Sequence, residues 1–305
     1  MKDFIERSRK ELLSVLENKY SLDLEGSLQT QIPALDFYFA QDETQFNTTA
    51  YEPSLCIILQ GSKAIDFGKE PLGYDTQKYL LSASNLFAKV KIENATKETP
   101  YVSLRIRFSL EEIYEVLKNL DTSRFNLSKK TEKGLFFDDL NERIYDPVVR
   151  LVKLLEKSDE EINFLSPMII KEILFILIKD ESGYFLNKFA MEGTISNKIV
   201  KVISKIKENF NEKLNVKELA RFIDMSESSL YDNFKTITSM TPIQFQKKIR
   251  LEEAKLMLLN QNIEASQVAF EVGYESPSQF SREYSRMFGM SPKAHAQYLR
   301  EQSIA

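Results

Sequence analysis

The sequence is poor in the residues that most often carry covalent or metal chemistry. It has one cysteine, Cys56, one histidine, His295, and no tryptophan. A lone cysteine excludes an intrachain disulfide framework. One histidine and one cysteine cannot assemble a histidine-rich metal site, and they leave a Ser-His-Asp or Cys-His unit a single candidate base. Carboxylate-only metal sites and Ser-Lys chemistry stay open on counting alone. Long apolar runs are missing too. The stretch from Met168 to Ile178 is broken by Lys171 and Glu172 and is too short to cross a bilayer. The opening MKDFIERSRK scatters charge where a signal peptide needs an apolar core. The expected setting is a reducing cytoplasm, with no membrane partner.

What is present fits a soluble chain of two domains with an extra helical piece. The 305 residues are 43% hydrophobic and 28% charged, enough apolar material for a sizeable core. The net charge of −4 is unevenly spread. Residues 195–305 hold 16 Lys and Arg against 13 Asp and Glu, whereas residues 1–194 hold 25 against 32. A mildly basic end on an acidic body suggests a polyanion-binding module attached to a non-binding one.

The pattern divides the chain at 1–110, 111–194 and 195–305. Residues 3–19 read as an amphipathic helix. From Leu35 to Phe108 come short runs rich in β-branched and aromatic residues: 35–39, 54–59, 63–67, 86–92 and 102–108. Turn residues such as Pro53, Gly61, Gly68 and Pro100 separate them, which predicts an antiparallel sandwich or small barrel. Leu104 and Ile106 are expected to face the core, with Arg105 and Arg107 on a solvated face. Cys56, in the second run, is expected to be a buried structural thiol. Helices follow. Ser109-Leu110-Glu111-Glu112 is a capping box. Asp146-Pro147 and Ser166-Pro167 predict helix starts with proline at the first position. This middle section either covers the sheet or forms a dimer contact.

The last third contains a repeat. LARFIDMSESSLYDNFKTITSMTP (219–242) pairs with VAFEVGYESPSQFSREYSRMFGMSP (268–292). Ala220 matches Ala269 at an offset of 49; Leu230, Phe234 and Pro242 match Phe280, Tyr284 and Pro292 at an offset of 50. One extra residue therefore sits in the second turn. Each copy reads as a short helix with a small Ala at the crossing, a tight turn and a second helix, the helix-turn-helix pattern. Gly273 suits the sharp turn of the second copy. Pro242 to Leu259 predicts one connecting helix of about 27 Å, able to hold two reading helices about one DNA turn apart.

These residues resemble the C-terminal DNA-binding domain of the AraC/XylS family of bacterial transcription regulators; IEASQVAFEVGYESPSQFSREYSRMFGMSP follows its signature, and IQFQKKIRLEEAKLMLL fits as well. PSLCIILQG (53–61), Tyr79-Leu80-Leu81 and Pro100-Tyr101-Val102 resemble the variant regulatory domain found on one branch of that family. The resemblance implies an α+β chain: an N-terminal antiparallel cupin-like β domain, a helical linker and dimerisation region, and a C-terminal all-α domain with two helix-turn-helix units. It implies double-stranded DNA as a partner, a homodimer, a small-molecule effector in the β domain, and RNA polymerase as a further candidate partner. No cofactor or metal is called for.

Carried over position by position, Ser228, Tyr231 and Asp232 would face the groove in the first unit, and Pro277, Ser278, Gln279 and Arg282 in the second. Gln and Arg are the side-chain types that pair bidentately with adenine and guanine. Lys235, Arg286, Lys247, Lys248 and Arg250 would contact phosphate, which positions rather than specifies. Asp232 departs from the family, which often has a basic or amide residue there; with Glu227 beside it, a weaker or more selective first unit is expected. Tyr38, Gln60, Ser62, Tyr101 and Arg105 are the candidate effector contacts. His295, in the last helix, is expected to lie at the surface or to pack rather than to move protons. The alternatives are a β domain used only for dimerisation or partner contact and, more remotely, a metal-dependent cupin enzyme. The second is disfavoured because the only histidine lies outside the β domain.

Overall fold

A computed structural model describes residues 2–68, 70–120, 132–260 and 263–304. The chain forms two compact units, Met1–Asn197 and Lys198–Ala305. The first opens with helix α1 (Lys2–Tyr20) and strands β1 (Gly26–Gln29), β2 (Leu35–Ala40), β3 (Asn47–Tyr51), β4 (Ser54–Gln60) and β5 (Ser62–Asp66). It continues through β6 (Leu72–Asp75), β7 (Lys78–Ser82), β8 (Leu86–Glu93), β9 (Tyr101–Arg107), α2 (Leu110–Leu117) and β10 (Leu135–Asp139). Helices α3 (Glu142–Lys153), α4 (Asp159–Lys179) and α5 (Ser182–Ala190) complete it.

The strands make two antiparallel sheets, in the order β1-β2-β9-β4-β7-β10 and β3-β8-β5-β6. This is the expected antiparallel β domain. The five runs read from the sequence are β2, β4, β5, β8 and β9. Strand β10 was not foreseen; it lies beyond α2 in sequence and closes the edge beside β7. The outer face of the larger sheet carries Phe37, Leu104, Ile57 and Phe136, with Phe136 stacked on Phe185 of α5 at 5.4 Å. Helix α1 buries Leu12 and Leu16 in the same layer, and Arg9 donates to the carbonyl of Leu59 at 3.0 Å. Each fully buried large side chain contributes about 1.5–3 kcal/mol.

The register overturns one expectation. Leu104 and Ile106 do face a core, but it is the core beneath the helices. Arg105 and Arg107 therefore point between the two sheets rather than into solvent. Arg105 grips both carboxylate oxygens of Asp36 at 3.0–3.1 Å, and Arg107 adds a bond of 2.9 Å. The Asp36 side chain is 4% exposed, so the arginines neutralise a carboxylate that could not otherwise be buried. Cys56 lies on the same inner face, opposite Arg105, and is partly accessible.

Two helix starts also move. The cap of α3 is Asn141, accepting from the Ile144 amide at 3.1 Å, and the cap of α4 is Ser158, in a capping box with Glu161. Pro147 and Pro167 sit inside these helices. Each forfeits one backbone hydrogen bond. Burial of Ile144, Tyr145, Val148 and Leu151 along one continuous face outweighs that loss in α3.

The second unit holds most of α6 (Ile195–Glu208) and all of α7 (Val216–Phe222), α8 (Glu227–Thr238), α9 (Pro242–Asn260), α10 (Ala265–Glu271), α11 (Pro277–Phe288) and α12 (Pro292–Ile304). The repeat is structural. The Met225 amide donates to Ala220, and the Tyr274 amide to Ala269, both at 2.9 Å. The next residue of the first copy is the cap Ser226, whereas the second copy inserts Glu275 before Ser276. Both second helices end on a left-handed residue, Ser239 and Gly289, whose amides bond back to Lys235 and Ser285. Leu230, Phe234, Phe280 and Tyr284 are buried at matching positions.

Gly273 has a φ of +88°, and a Cβ there would lie 2.2 Å from the Asn211 carbonyl oxygen; Gly289, at +75°, has open space around it. We expect Gly289→Ala to cost about 1 kcal/mol from the left-handed backbone alone. Gly273→Ala should cost clearly more, because a backbone atom must also move. Chemical denaturation of the two variants checks the ranking; equal losses would contradict it.

Candidate functional site

The surface of interest is built from the second helix of each repeat. Ser226 starts α8 by accepting from the Ser229 amide at 3.2 Å, and Ser276 starts α11 by accepting from the Gln279 amide at 3.3 Å. Proline follows Ser276 at the first helical position, where its missing N–H costs nothing. In α8 the buried stripe of Leu230, Phe234 and Ile237 leaves Ser228, Asp232 and Lys235 exposed, with Tyr231 half-buried. In α11 Phe280 and Tyr284 turn inward, which leaves Ser278, Gln279, Arg282 and Arg286 exposed and Pro277 partly so. The positions named from the sequence thus share the solvent face of their own helix. Asp232 is among them, beside exposed Glu227.

Gln279 is held rather than free. Its Nε2 donates to Glu283 Oε1 at 3.0 Å. That carboxylate also accepts from Lys247 Nζ at 2.9 Å and from the Tyr274 hydroxyl at 2.9 Å. Burial alone would raise the Glu283 carboxyl, but the bonds from Gln279, Lys247 and Tyr274 outweigh it and hold it below its ordinary value. One amide proton of Gln279 is committed, which leaves the other and Oε1 for a base edge. Glu283 escaped the sequence reading. Its signal was the i, i+4 spacing from Gln279, which is too common to single out.

Arg250 is a correction. Its guanidinium donates to the backbone carbonyls of Phe210, Gly273 and Glu212 at 2.7, 2.7 and 2.8 Å. It braces the second unit and is not available as a phosphate contact. Lys247 is paired with Glu283, and Lys248 is half-buried with a partner of its own. The exposed cations on α8 and α11 are Lys235, Arg282 and Arg286.

The five candidate effector residues separate. Tyr101 and Arg105 lie on the inner face of β9, and Tyr38 meets Tyr101 edge-on at 6.3 Å. Gln60 is spent on the Pro100 carbonyl at 2.8 Å, and Ser62 bonds Glu93 and Asn94 on the outer side of β5. The sequence reading missed Lys63. It shares the inner face with Ile65, a phase that the alternation of β5 already held.

His295 packs, as expected, against Tyr284 and Phe288, and its Nδ1 lies 3.0 Å from the Tyr284 hydroxyl. Burial, helped by Lys255, pushes the imidazole below its ordinary 6.5. The neutral form is the one folding favours, so its stabilisation is complete above pH 6.5 and is lost as pH falls through the lower folded value. We expect the chain's only histidine signal to titrate below 6.5 by NMR, and His295→Gln to flatten the loss of stability as pH falls below 6.5.

Comparison with known proteins agrees with this geometry. Residues 31–185 match the AraC-type transcriptional regulator N-terminus, and residues 219–298 match a helix-turn-helix domain. The raffinose operon regulatory protein RafR of Pediococcus pentosaceus is 28% identical over 153 residues, covering 50% of this chain and 54% of that one. The MmsAB operon regulatory protein of Pseudomonas aeruginosa is 31% identical over 96 residues, covering 32% and 31%. The chain spans about half the length, or less, of these curated relatives. A structure of unsaturated fatty acid bound ToxT from Vibrio cholerae shares the fold, with a TM-score of 0.55, 14% identity and coverage of 90% of this chain and 96% of that one. No helix among the described residues is long and apolar enough to cross a membrane. With one profile covering more than half of the chain and a second covering both repeats, the chain belongs to the AraC family of transcriptional regulators.

Proposed function

We propose that the protein is a sequence-specific DNA-binding transcription regulator, working in the cytoplasm, in which α8 and α11 enter successive major-groove segments of double-stranded DNA. The observation that carries this reading is the repeated, serine-capped helix with its exposed polar face. Gln279 and Arg282 read base edges, with Pro277 and Ser278 alongside; Ser228, Tyr231 and Asp232 do so from the first unit. Lys235 and Arg286 contact phosphate. Asp232 repels the backbone but can accept from cytosine N4, so the first unit adds selectivity more than affinity.

The β domain is a regulatory module that binds a small-molecule effector, and effector occupancy shifts how the reading heads engage DNA and RNA polymerase. The fatty acid named for ToxT gives a parallel in a protein of the same fold. The polar inner face of β9 favours this reading over a purely structural β domain. A homodimer belongs to the same proposal. Helix α4 exposes Phe164, Met168 and Phe175, at 66%, 55% and 41%, on a helix that is apolar on its other sides too.

The test is selection of preferred duplexes from a random pool by the full chain, then anisotropy titrations at two salt concentrations. Binding should weaken steeply with salt, with a preference for the selected over a scrambled duplex. Arg282→Ala should cost about 1–3 kcal/mol of discrimination at its base, whereas Lys235→Ala should weaken all duplexes alike and lower the salt slope by about one. No preference over random duplex at any salt would refute the proposal.

A further inference from the structure

Gln279 and Glu283 form the polar edge of α11 nearest Lys247 of α9. They stand one helical turn apart, and Gln279 Nε2 donates to Glu283 Oε1 at 3.0 Å. A carboxylate only accepts, so the amide must turn its nitrogen, not its oxygen, toward Glu283. The acid beside it therefore decides which way round the glutamine amide lies.

The acid is itself held from two further sides. Lys247 Nζ donates to the same Oε1 at 2.9 Å, and the Tyr274 hydroxyl donates to Oε2 at 2.9 Å. Tyr274 is buried; its ring meets Phe280 edge-on at 5.5 Å, and the Arg250 guanidinium stands 5.9 Å from its centre. The three bonds keep the carboxyl ionised, and burial keeps the tyrosine hydroxyl protonated. A line of contacts thus runs from Arg250, which braces the second unit, to one exposed amide. The first repeat is built differently. At the matching positions it carries Ser229, Asn233 and Met225 in place of Gln279, Glu283 and Tyr274. Asn233 turns its amide back onto the Ser229 carbonyl at 2.7 Å. The repeat alone does not produce the arrangement; it is particular to the second copy.

With one proton committed to Glu283, Gln279 keeps one N–H and the lone pairs of Oε1 for a ligand. In the major groove adenine offers a donor and an acceptor side by side, N6–H and N7, and so uses both. Guanine offers two acceptors, O6 and N7. A free glutamine could turn both of its amide protons toward them; a glutamine tied to Glu283 cannot. We propose that Glu283 is a positioning residue for base selection: by holding the Gln279 amide one way round, it makes α11 prefer adenine and reject guanine at a single base pair. The proposal rests on the reading of α11 as a major-groove helix given above. Lys247 offsets the charge of Glu283, so that the acid can stand beside this face without repelling phosphate.

The experiment uses the full chain and a duplex selected from a random pool, varied one base pair at a time and titrated by anisotropy. Gln279→Ala, at an exposed position, marks the base pair that the amide contacts as the one whose identity ceases to matter. There the native chain should bind A·T about 10-fold or more tighter than G·C, within the range for one bidentate pair. Glu283→Gln puts an amide that accepts or donates beside Gln279, which can then lie either way. That variant should lower the A·T to G·C ratio to about threefold or less, while binding the G·C duplex at least as tightly as the native chain does. A merely structural glutamate would instead lower the melting temperature and weaken every duplex alike. In a Gln279→Ala background, Glu283→Gln should leave the ratio where it is. An unchanged ratio in Glu283→Gln, or an equal change with and without Gln279, would overturn the positioning role and leave the regulator reading intact. Should Glu283→Gln not fold, the native chain decides: A·T at the marked pair supports the proposal, and any other preferred pair refutes it. If Gln279→Ala marks no base pair, the proposal fails while the regulator reading stands. If the native chain has no sequence preference at all, both fail.

Discussion

Arg250 reaches from the middle of α9 to three backbone carbonyls that belong to separate parts of the second unit. Phe210 and Glu212 precede the first helix-turn-helix, and Gly273 forms the turn of the second. A planar guanidinium with fixed donor directions can hold such a set, where a lysine ammonium would hold it loosely. The close approach it enforces brings the Asn211 carbonyl so near Gly273 that no side chain fits there. Through this brace the turn angle of the second repeat is tied to the connecting helix, and so is the direction in which α11 presents Gln279 and Arg282.

Around that brace the exposed face of α11 is kept polar but ordered. Glu283 collects Gln279, Lys247 and Tyr274 on one carboxylate, and so links α11 to α9 and to the turn. An amide fixed by such a bond loses less rotamer entropy when it meets a base edge than a free one would. The first repeat lacks this arrangement: Asp232 stands exposed where an amide or a cation would be more usual for the family. The exposed faces of α8 and α11 therefore differ in chemistry while their backbones match, as the proposed division of labour between selectivity and affinity requires.

The β domain follows a similar economy. Its larger sheet uses the apolar side of β9 to seat the helices and the polar side to line the space between the sheets. Asp36 makes that possible, because it neutralises arginines that would otherwise crowd the interior with like charge. Helix starts were decided by the same balance of burial against backbone bonds. Asn141 and Ser158 cap α3 and α4, and the prolines downstream are tolerated because the buried faces run through them.

The sequence by itself determined the local devices: the two helix-turn-helix copies, the extra residue in the second turn, the capping box at Ser109 and the five central strands. These depend on residues close in the chain, where periodicity and turn chemistry are visible. The positions of α8 and α11 that the family resemblance named fall on exposed or half-buried faces, because a 3.6-residue period separates inward from outward. What the tertiary structure decided was partnership. Period-two alternation showed that Arg105 opposes Leu104 but not which side faced water; only the second sheet settles that. Arg250 looked like a phosphate contact until the carbonyls of residues 40 and 23 positions away closed on it. Charges and donors are legible in the chain as types, but their work depends on long-range register and burial, which no local pattern encodes.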